Sequence, residues 1–301
     1  MIIITQKCGR LGNRLLLLSH LIAYGLEKRN KVIDLCFDEY SSYFTSTSFN
    51  PYITQFPPCK NLINNLSILN KLPIDWNYLR RKVNGRLKPV EQWLEREPNR
   101  KKYWQILSHN TPDALIIDDL EVKMLIIVNG WYIRAPKCLQ KHADTIRAWF
   151  TPVPKYQVNI ENLLHKIRED TDTLVGLHIR AGDYRIHGGF YPLDVWKSIM
   201  ERMTILLPQR RISFLICSDE DFRAQKSYFE EYNVFFGTGN IIEDLYSLAR
   251  CDYLIAPPST YSNWAAFYGQ VPLFHLTGSH EIKSLAEFQK VNYYLDHRIA
   301  S

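Results

Sequence analysis

Apolar and polar positions alternate along the chain in blocks that read as short strands followed by helices. Ile2–Ile4 is an apolar run that ends in a Gly-containing turn. From about Asn13 to Lys28, Leu15, Leu18, Leu21, Ile22 and Leu26 recur at spacings of three and four, which predicts a helix with an apolar stripe. Val32–Phe37 predicts a second strand, and Ile116–Ile117 and Met124–Val128 predict two more short ones. The stretch from Ser41 to Lys102 is polar, Asn-rich and punctuated by proline, with no clear period.

Pro152 and Pro154 fit neither a helix interior nor a central strand, so the boundary between two domains is placed there, giving 1–152 and 153–301. A cleaner pattern follows. A charged helix around Ile160–Glu169 leads to a strand at Leu174–Ile179. Pro192–Leu207 predicts a helix with Val195, Ile199, Met203 and Leu206 on one face. Ile212–Cys217, Tyr253–Ala256 and Leu273–Leu276 read as strands, separated by helices at Glu243–Arg250 and from Asn263 to Tyr268. Ser284–Leu295 reads as a closing helix. Such alternation predicts α/β architecture with parallel sheets covered on both faces. Two halves of this kind imply twin doubly wound domains with a cleft between them, and ligands at the carboxyl ends of the strands.

Composition narrows the class. Of 301 residues, 46% are hydrophobic and 23% charged, which excludes disordered, collagen-like and coiled-coil chains. The six cysteines are scattered without a C-x-x-C pair, so neither a disulfide framework nor a zinc site is expected. The opening Met1-Ile2-Ile3-Ile4 lacks the basic start of a secretion signal, and no run reaches the roughly 18 apolar residues of a membrane span. The expectation is a soluble, reduced, cytoplasmic protein. The net charge of +6 is confined to residues 80–102, with nine Lys/Arg against three Glu; the remainder holds 28 basic and 28 acidic residues. That segment is a candidate for peripheral contact with an anionic membrane surface or a phosphorylated acceptor. A solvated insertion without a partner is the plainer alternative. Nucleic acid is not expected, because basic and aromatic residues do not interleave in a recognisable module.

Four loops that follow predicted strands carry residues suited to chemistry. Gly9-Arg10-Leu11-Gly12-Asn13 offers backbone N–H groups and a helix start to an anion, or is simply a tight turn capped by Asn13. In His178-Ile179-Arg180-Ala181-Gly182-Asp183-Tyr184 a titratable ring and a planar cation two residues apart point to one side; an Arg180–Asp183 pair tying down the loop is the alternative. Ser218-Asp219-Glu220 provides a carboxylate for a base edge, or a helix cap. Ser259-Thr260-Tyr261-Ser262 places hydroxyls at a helix start, as a phosphate cradle or an ordinary cap. A P-loop and a G-x-S-x-G elbow do not occur.

In this order, the loops together with Asp244-Leu245-Tyr246-Ser247-Leu248 resemble the α-1,2-fucosyltransferases of glycosyltransferase family 11 and related fucosyltransferases. The resemblance spans residues 9–266 and implies two Rossmann-like domains of the GT-B type, a GDP-L-fucose donor and inversion at the anomeric carbon. It implies no metal and no cofactor. It puts Arg180 on the β-phosphate, His178 beside the guanosine, Asp219 on the guanine and Ser259 and Thr260 on the phosphates, with Ser218 and Ser262 also among the residues that bind the GDP-sugar. Arg10, Gly12 and Asn13 would face them from an N-terminal, acceptor-side domain. Arg180 and His178 are the catalytic candidates, with Asp38 and Glu39 as further candidates for the base. Two stretches depart from the family: Ala181 stands in place of a second arginine, and Ser262-Asn263-Trp264-Ala265 in place of S-W-W-G. The partners implied are a nucleotide sugar and a glycan acceptor, in surface polysaccharide or glycolipid synthesis. An inert nucleotide-sugar-binding module, a transferase for another nucleotide sugar and a basic peripheral adaptor remain the alternatives.

Overall fold

The computed structural model describes residues 1–48, 54–57, 104–111, 113–121, 123–208, 210–277 and 281–291. The basic segment 80–102 lies outside these residues. The chain divides into two compact units, the first ending at Val153 and the second starting at Pro154.

Unit 1 is built on strands β1 (Ile2–Ile4), β2 (Val32–Asp34), β3 (Thr54–Phe56), β4 (Trp104–Leu107) and β6 (Leu125–Val128), in the order β3-β2-β1-β6-β4. β1 pairs in parallel with β2 and β6, and β3 closes one edge antiparallel. β5 (Leu115–Ile116) and β7 (Ile133–Arg134) form a separate parallel pair. Helix α1 (Leu11–Glu27) is buried at Leu15, Leu16, Leu17 and Leu18 alike, so all its sides are covered. Short helices α3 (Pro136–Lys141) and α4 (Ala143–Trp149), absent from the sequence reading, pack on it. His20 accepts the Ala135 N–H at 3.0 Å, and the Tyr24 hydroxyl donates to the Leu120 carbonyl at 3.2 Å. β2 stops at Asp34, short of the expected Phe37, and helix α2 (Asp38–Ser41) begins just past that point.

Unit 2 begins with helix α5 (Pro154–Arg168), whose proline takes the first helical position, where its missing N–H costs nothing. Its sheet has the order β10-β9-β8-β11-β12-β13. These are β8 (Thr173–Ile179), β9 (Ile212–Ser218), β10 (Asn233–Phe236), β11 (Tyr253–Ala256), β12 (Pro272–His275) and β13 (Gln289–Lys290). All neighbours run parallel except β13. β8 is central and wholly buried. The chain winds from it to β9 and β10 on one side, then crosses to β11 and β12 on the other. Around this sheet lie the one-turn helix α6 (Tyr184–His187), α7 (Leu193–Leu206), α8 (Ile241–Leu248) and α9 (Thr260–Gly269). Trp196, Ile199, Met200 and Met203 of α7 pack on Val175, Phe214 and Ile216 of the sheet. Each such side chain removed from water contributes roughly 1.5–3 kcal/mol.

The closing helix expected over Ser284–Leu295 does not form as such. Ser284 and Glu287 make a capping box, but only a 3-10 turn follows at Leu285–Glu287. Phe288 then turns extended and packs its ring 5.1 Å from Tyr253 and 5.6 Å from Phe274. Gln289–Lys290 pair antiparallel with Pro272–Leu273. Burial of one aromatic side chain and two strand pairs therefore override the helical pattern; residues from 292 onward lie outside the described part.

Candidate active site

The first loop of unit 1 leaves β1 at Thr5, whose N–H and hydroxyl both donate to the Val128 carbonyl of β6, at 3.0 and 3.1 Å. The order of strands reverses here, between β1 and β6. Gly9 sits at φ +55, and a Cβ there would stand 2.1 Å from the Asn13 amide, so only glycine fits. Arg10, not Asn13, occupies the cap position of α1, in extended conformation and with an exposed side chain. Gly12 is buried and Asn13 half-buried in the first turn. The cation that organises this loop is Arg14. It donates through Nε to the Gly9 carbonyl at 3.2 Å and through Nη1 to the Cys36 carbonyl at 2.9 Å. Its Nη2 lies 2.9 Å from Glu39. Lys7 also bonds Glu39 and holds that carboxyl below its usual range, which makes Glu39 a weak base. Asp38 stands 3.8 Å from Lys7. Asp34, buried at the end of β2, accepts the Cys36 N–H at 2.7 Å, and burial pushes its carboxyl up to about 7.

In unit 2 the parallel register brings the carboxyl ends of β8, β9, β10 and β11 to one edge of the sheet. His178, near the end of β8, is 4% exposed and packs on Tyr261 with ring centroids 4.9 Å apart and planes tilted by 36°. Its Nδ1 is buried and has no hydrogen-bond partner among the described residues. Burial, and then the nearby Arg180 charge, push the imidazole down to about 4. Arg180 follows in the loop. Its Nη2 lies 2.8 Å from one Asp183 oxygen and 3.0 Å from the other, and its Nη1 lies 3.2 Å from Asp219. The guanidinium also sits 5.4 Å from the Tyr184 ring. The Tyr184 hydroxyl donates to the Pro258 carbonyl at 2.6 Å, which ties the β8 loop to the β11 loop across the second reversal of strand order. Arg185 on α6 makes a forked pair with Glu220, at 3.0 and 2.9 Å.

Ser218 ends β9, and its hydroxyl accepts the Glu220 N–H at 3.1 Å. Beyond it opens a cavity of about 210 Å³, walled by Ser218, Asp219, Glu220 and Phe222 on the β9 side and by Phe236, Gly237 and Asp244 on the β10 side. Arg223 crosses it, paired with Asp221 at 3.0 Å and donating to the Gly237 carbonyl. Asp244 is buried at its floor and pushed up to about 6, chiefly by burial. Ser259 caps α9, accepting the Tyr261 N–H at 3.2 Å; Ser262 donates to the Ser259 carbonyl at 3.1 Å. Thr260 is half-buried in the first turn.

His178, Arg180, Ser218, Asp219, Ser259, Thr260 and Ser262 therefore lie along one sheet edge of unit 2, while Arg10, Gly12 and Asn13 lie in the first loop of unit 1. Sequence reasoning passed over Arg14, Arg185, Glu220 as Arg185's partner, Tyr261, Arg223 and the buried Asp244. Asp244 was visible only as part of a motif, and nothing in spacing links Arg185 to a carboxylate 35 positions away. Among the described residues no group of three or more His, Cys, Asp or Glu stands together as metal ligands, and no helix is long and apolar enough to cross a membrane.

No family model and no curated protein matches the chain. Solved structures do. A point mutant of Arabidopsis thaliana FUT1 in complex with GDP shares 13% identity over 93% of this chain and 71% of that one, with a TM-score of 0.57. NodZ alpha-1,6-fucosyltransferase co-crystallised with GDP shares 14% identity over 92% and 94%, at 0.56. The same enzyme, from Bradyrhizobium, soaked with GDP-fucose shares 15% over 93% and 96%, also at 0.56. At these identities the likeness is one of fold: this chain has the fold of fucosyltransferases.

Proposed function

We propose that the chain is a glycosyltransferase that moves L-fucose from GDP-L-fucose to a glycan hydroxyl. Unit 2 takes the donor and unit 1 the acceptor. The observation that carries this reading is Arg180, a guanidinium at the carboxyl end of the central strand, where the strand order reverses and beside the capped start of α9. Anions bind where helix N–H groups and a forked cation converge. The motif order extends the reading to inversion, an α-1,2 linkage and a surface polysaccharide or glycolipid acceptor.

In the transfer, the acceptor oxygen bonds to the anomeric carbon as the bond from that carbon to the β-phosphate oxygen breaks. GDP leaves with the electron pair, and the hydroxyl proton passes to a base or to solvent. Charge grows on the phosphates, so a group aimed there lowers the barrier. Arg180 would do the work that a divalent ion does in metal-dependent transferases. His178, neutral above a pH of about 4, serves as a wall beside the guanosine rather than as a proton carrier. Ser262 donates its hydroxyl to the Ser259 carbonyl and so acts by shaping the helix start, whereas Ser259 accepts the Tyr261 N–H and keeps its O–H for a phosphate oxygen.

Thermal unfolding with GDP, ADP and UDP, together with GDP release from GDP-fucose in the presence of EDTA, tests the reading. At about 100 times its dissociation constant GDP should add roughly 2.7 kcal/mol of stability. ADP and UDP should add less, and turnover should survive chelation. Equal stabilisation by ADP, or turnover lost in EDTA and restored by magnesium, refutes it.

A further inference from the structure

The carboxylate of Asp219 is taken up by the loop that carries Arg180. Its Oδ1 accepts the N–H of Ala181 at 2.8 Å and of Gly182 at 3.3 Å. Its other oxygen lies 3.2 Å from Nη1 of Arg180. A carboxylate has about four acceptor positions, and here three serve one tripeptide. Gly182 shows how close the approach is, since a Cβ there would stand 2.9 Å from Oδ2 of Asp219. A guanine edge presents two adjacent N–H groups, and to accept both a carboxylate must turn both oxygens toward them. Asp219 cannot do so without releasing the two amides.

The partners of Arg180 divide the same way. Asp183 belongs to the Arg180 loop and moves with it. Asp219 stands just past β9, on a different strand, and is the contact that fixes the guanidinium relative to the sheet.

We propose that Asp219 is a positioning residue, which holds the 181–182 turn and aims the Arg180 guanidinium, while the nucleotide base is recognised elsewhere. This replaces the guanine contact implied by the family resemblance, and it rests on the fucosyl-transfer reading above.

Asp219→Asn keeps the shape and leaves Oδ1 able to accept both amides, but its Nδ2 meets the guanidinium donor to donor. With GDP-fucose as substrate, kcat should fall roughly tenfold or more, the size of a lost charge-assisted bond, while KM for the donor changes by less than about threefold. The ratio of ADP to GDP dissociation constants, by calorimetry, should stay within about twofold of wild type. In an Arg180→Lys background, Asp219→Asn should cost less than about threefold, because its target is gone. Gly182→Ala is the second variant. It leaves the carboxylate in place but pushes on it, so kcat should fall with the base preference kept. A collapse of the GDP preference in either variant, or full multiplication of the Arg180→Lys and Asp219→Asn defects, overturns the proposal. If wild-type protein does not bind GDP, the donor reading falls and takes this inference with it; if it does and Asp219→Asn loses the preference, only this inference falls.

Discussion

Arg180 is a cation flanked by two carboxylates, Asp183 and Asp219, with its side chain largely buried. Lysine cannot keep that arrangement, because an ammonium is a point donor without a planar fork. Interactions that strengthen as the leaving group gains charge act on turnover more than on binding. Arg180→Lys should therefore lose about 3 kcal/mol of transition-state stabilisation, on the order of a hundredfold in kcat, with a smaller rise in donor KM. Steady-state kinetics on GDP-fucose measures both, and wild-type turnover would leave Arg180 as a mere loop tie. Ala181 has the opposite character. Its side chain is 0% exposed and belongs to the core that includes Ile179, Trp196 and Phe222. Restoring the family's second arginine with Ala181→Arg would force a cation among those chains. We expect roughly 3 kcal/mol or more of lost stability in urea unfolding and no gain in activity. The sequence disclosed both residues as members of one motif. It did not disclose that one side chain faces the loop partners and its neighbour the core, because that alternation depends on how the chain leaves β8.

At the scale of elements, short apolar runs marked the strands well: Ile2–Ile4 and Tyr253–Ala256 stand as read. Edge strands were harder. β10 carries Phe235 and Phe236 only half-buried beside an exposed Asn233, and β13 owes its existence to Phe288 packing on β11 and β12. β2 ends earlier than its apolar run because Asp34 is buried where the chain turns toward α2. That carboxyl is pushed up from 3.8 to about 7 by burial. An acid with a raised folded value binds its extra proton in the folded state. Its stabilising contribution is complete below the unfolded value and is lost as pH rises through the folded one. His178 has the reverse sign: its value is lowered from 6.5 to about 4, so stability is lost as pH falls across that window. Asp34→Asn should remove the first dependence alone. The stability of the variant minus that of wild type should climb from pH 4 to pH 7, with a slope of at most about 1.4 kcal/mol per pH unit. Denaturant unfolding across that range checks it; a flat difference would mean that Asp34 is charged throughout.

Over the whole molecule, two α/β units each put the first strand inside the sheet; unit 2 winds outward from it on both sides, whereas unit 1 reaches the edge strand β4 before returning to β6 beside β1, and in both the strand order reverses next to the first strand. The motifs that the proposed reading assigns to the donor lie on loops that follow strands in unit 2. None of the excess positive charge does: residues 80–102 carry all of the net +6. Charge concentrated in one segment acts over about a Debye length, roughly 10 Å at 0.1 M salt, so its effects should separate from nucleotide binding by their salt dependence. Each basic residue near an anionic lipid surface contributes about 1 kcal/mol. Replacing Arg80, Arg81, Arg100, Lys101 and Lys102 with glutamine should therefore abolish sedimentation with phosphatidylserine vesicles at low salt. The GDP dissociation constant should stay within about twofold, the additivity expected of separate sites. If GDP affinity falls together with vesicle binding, the segment acts on the donor, and the division of labour between the two units must be redrawn.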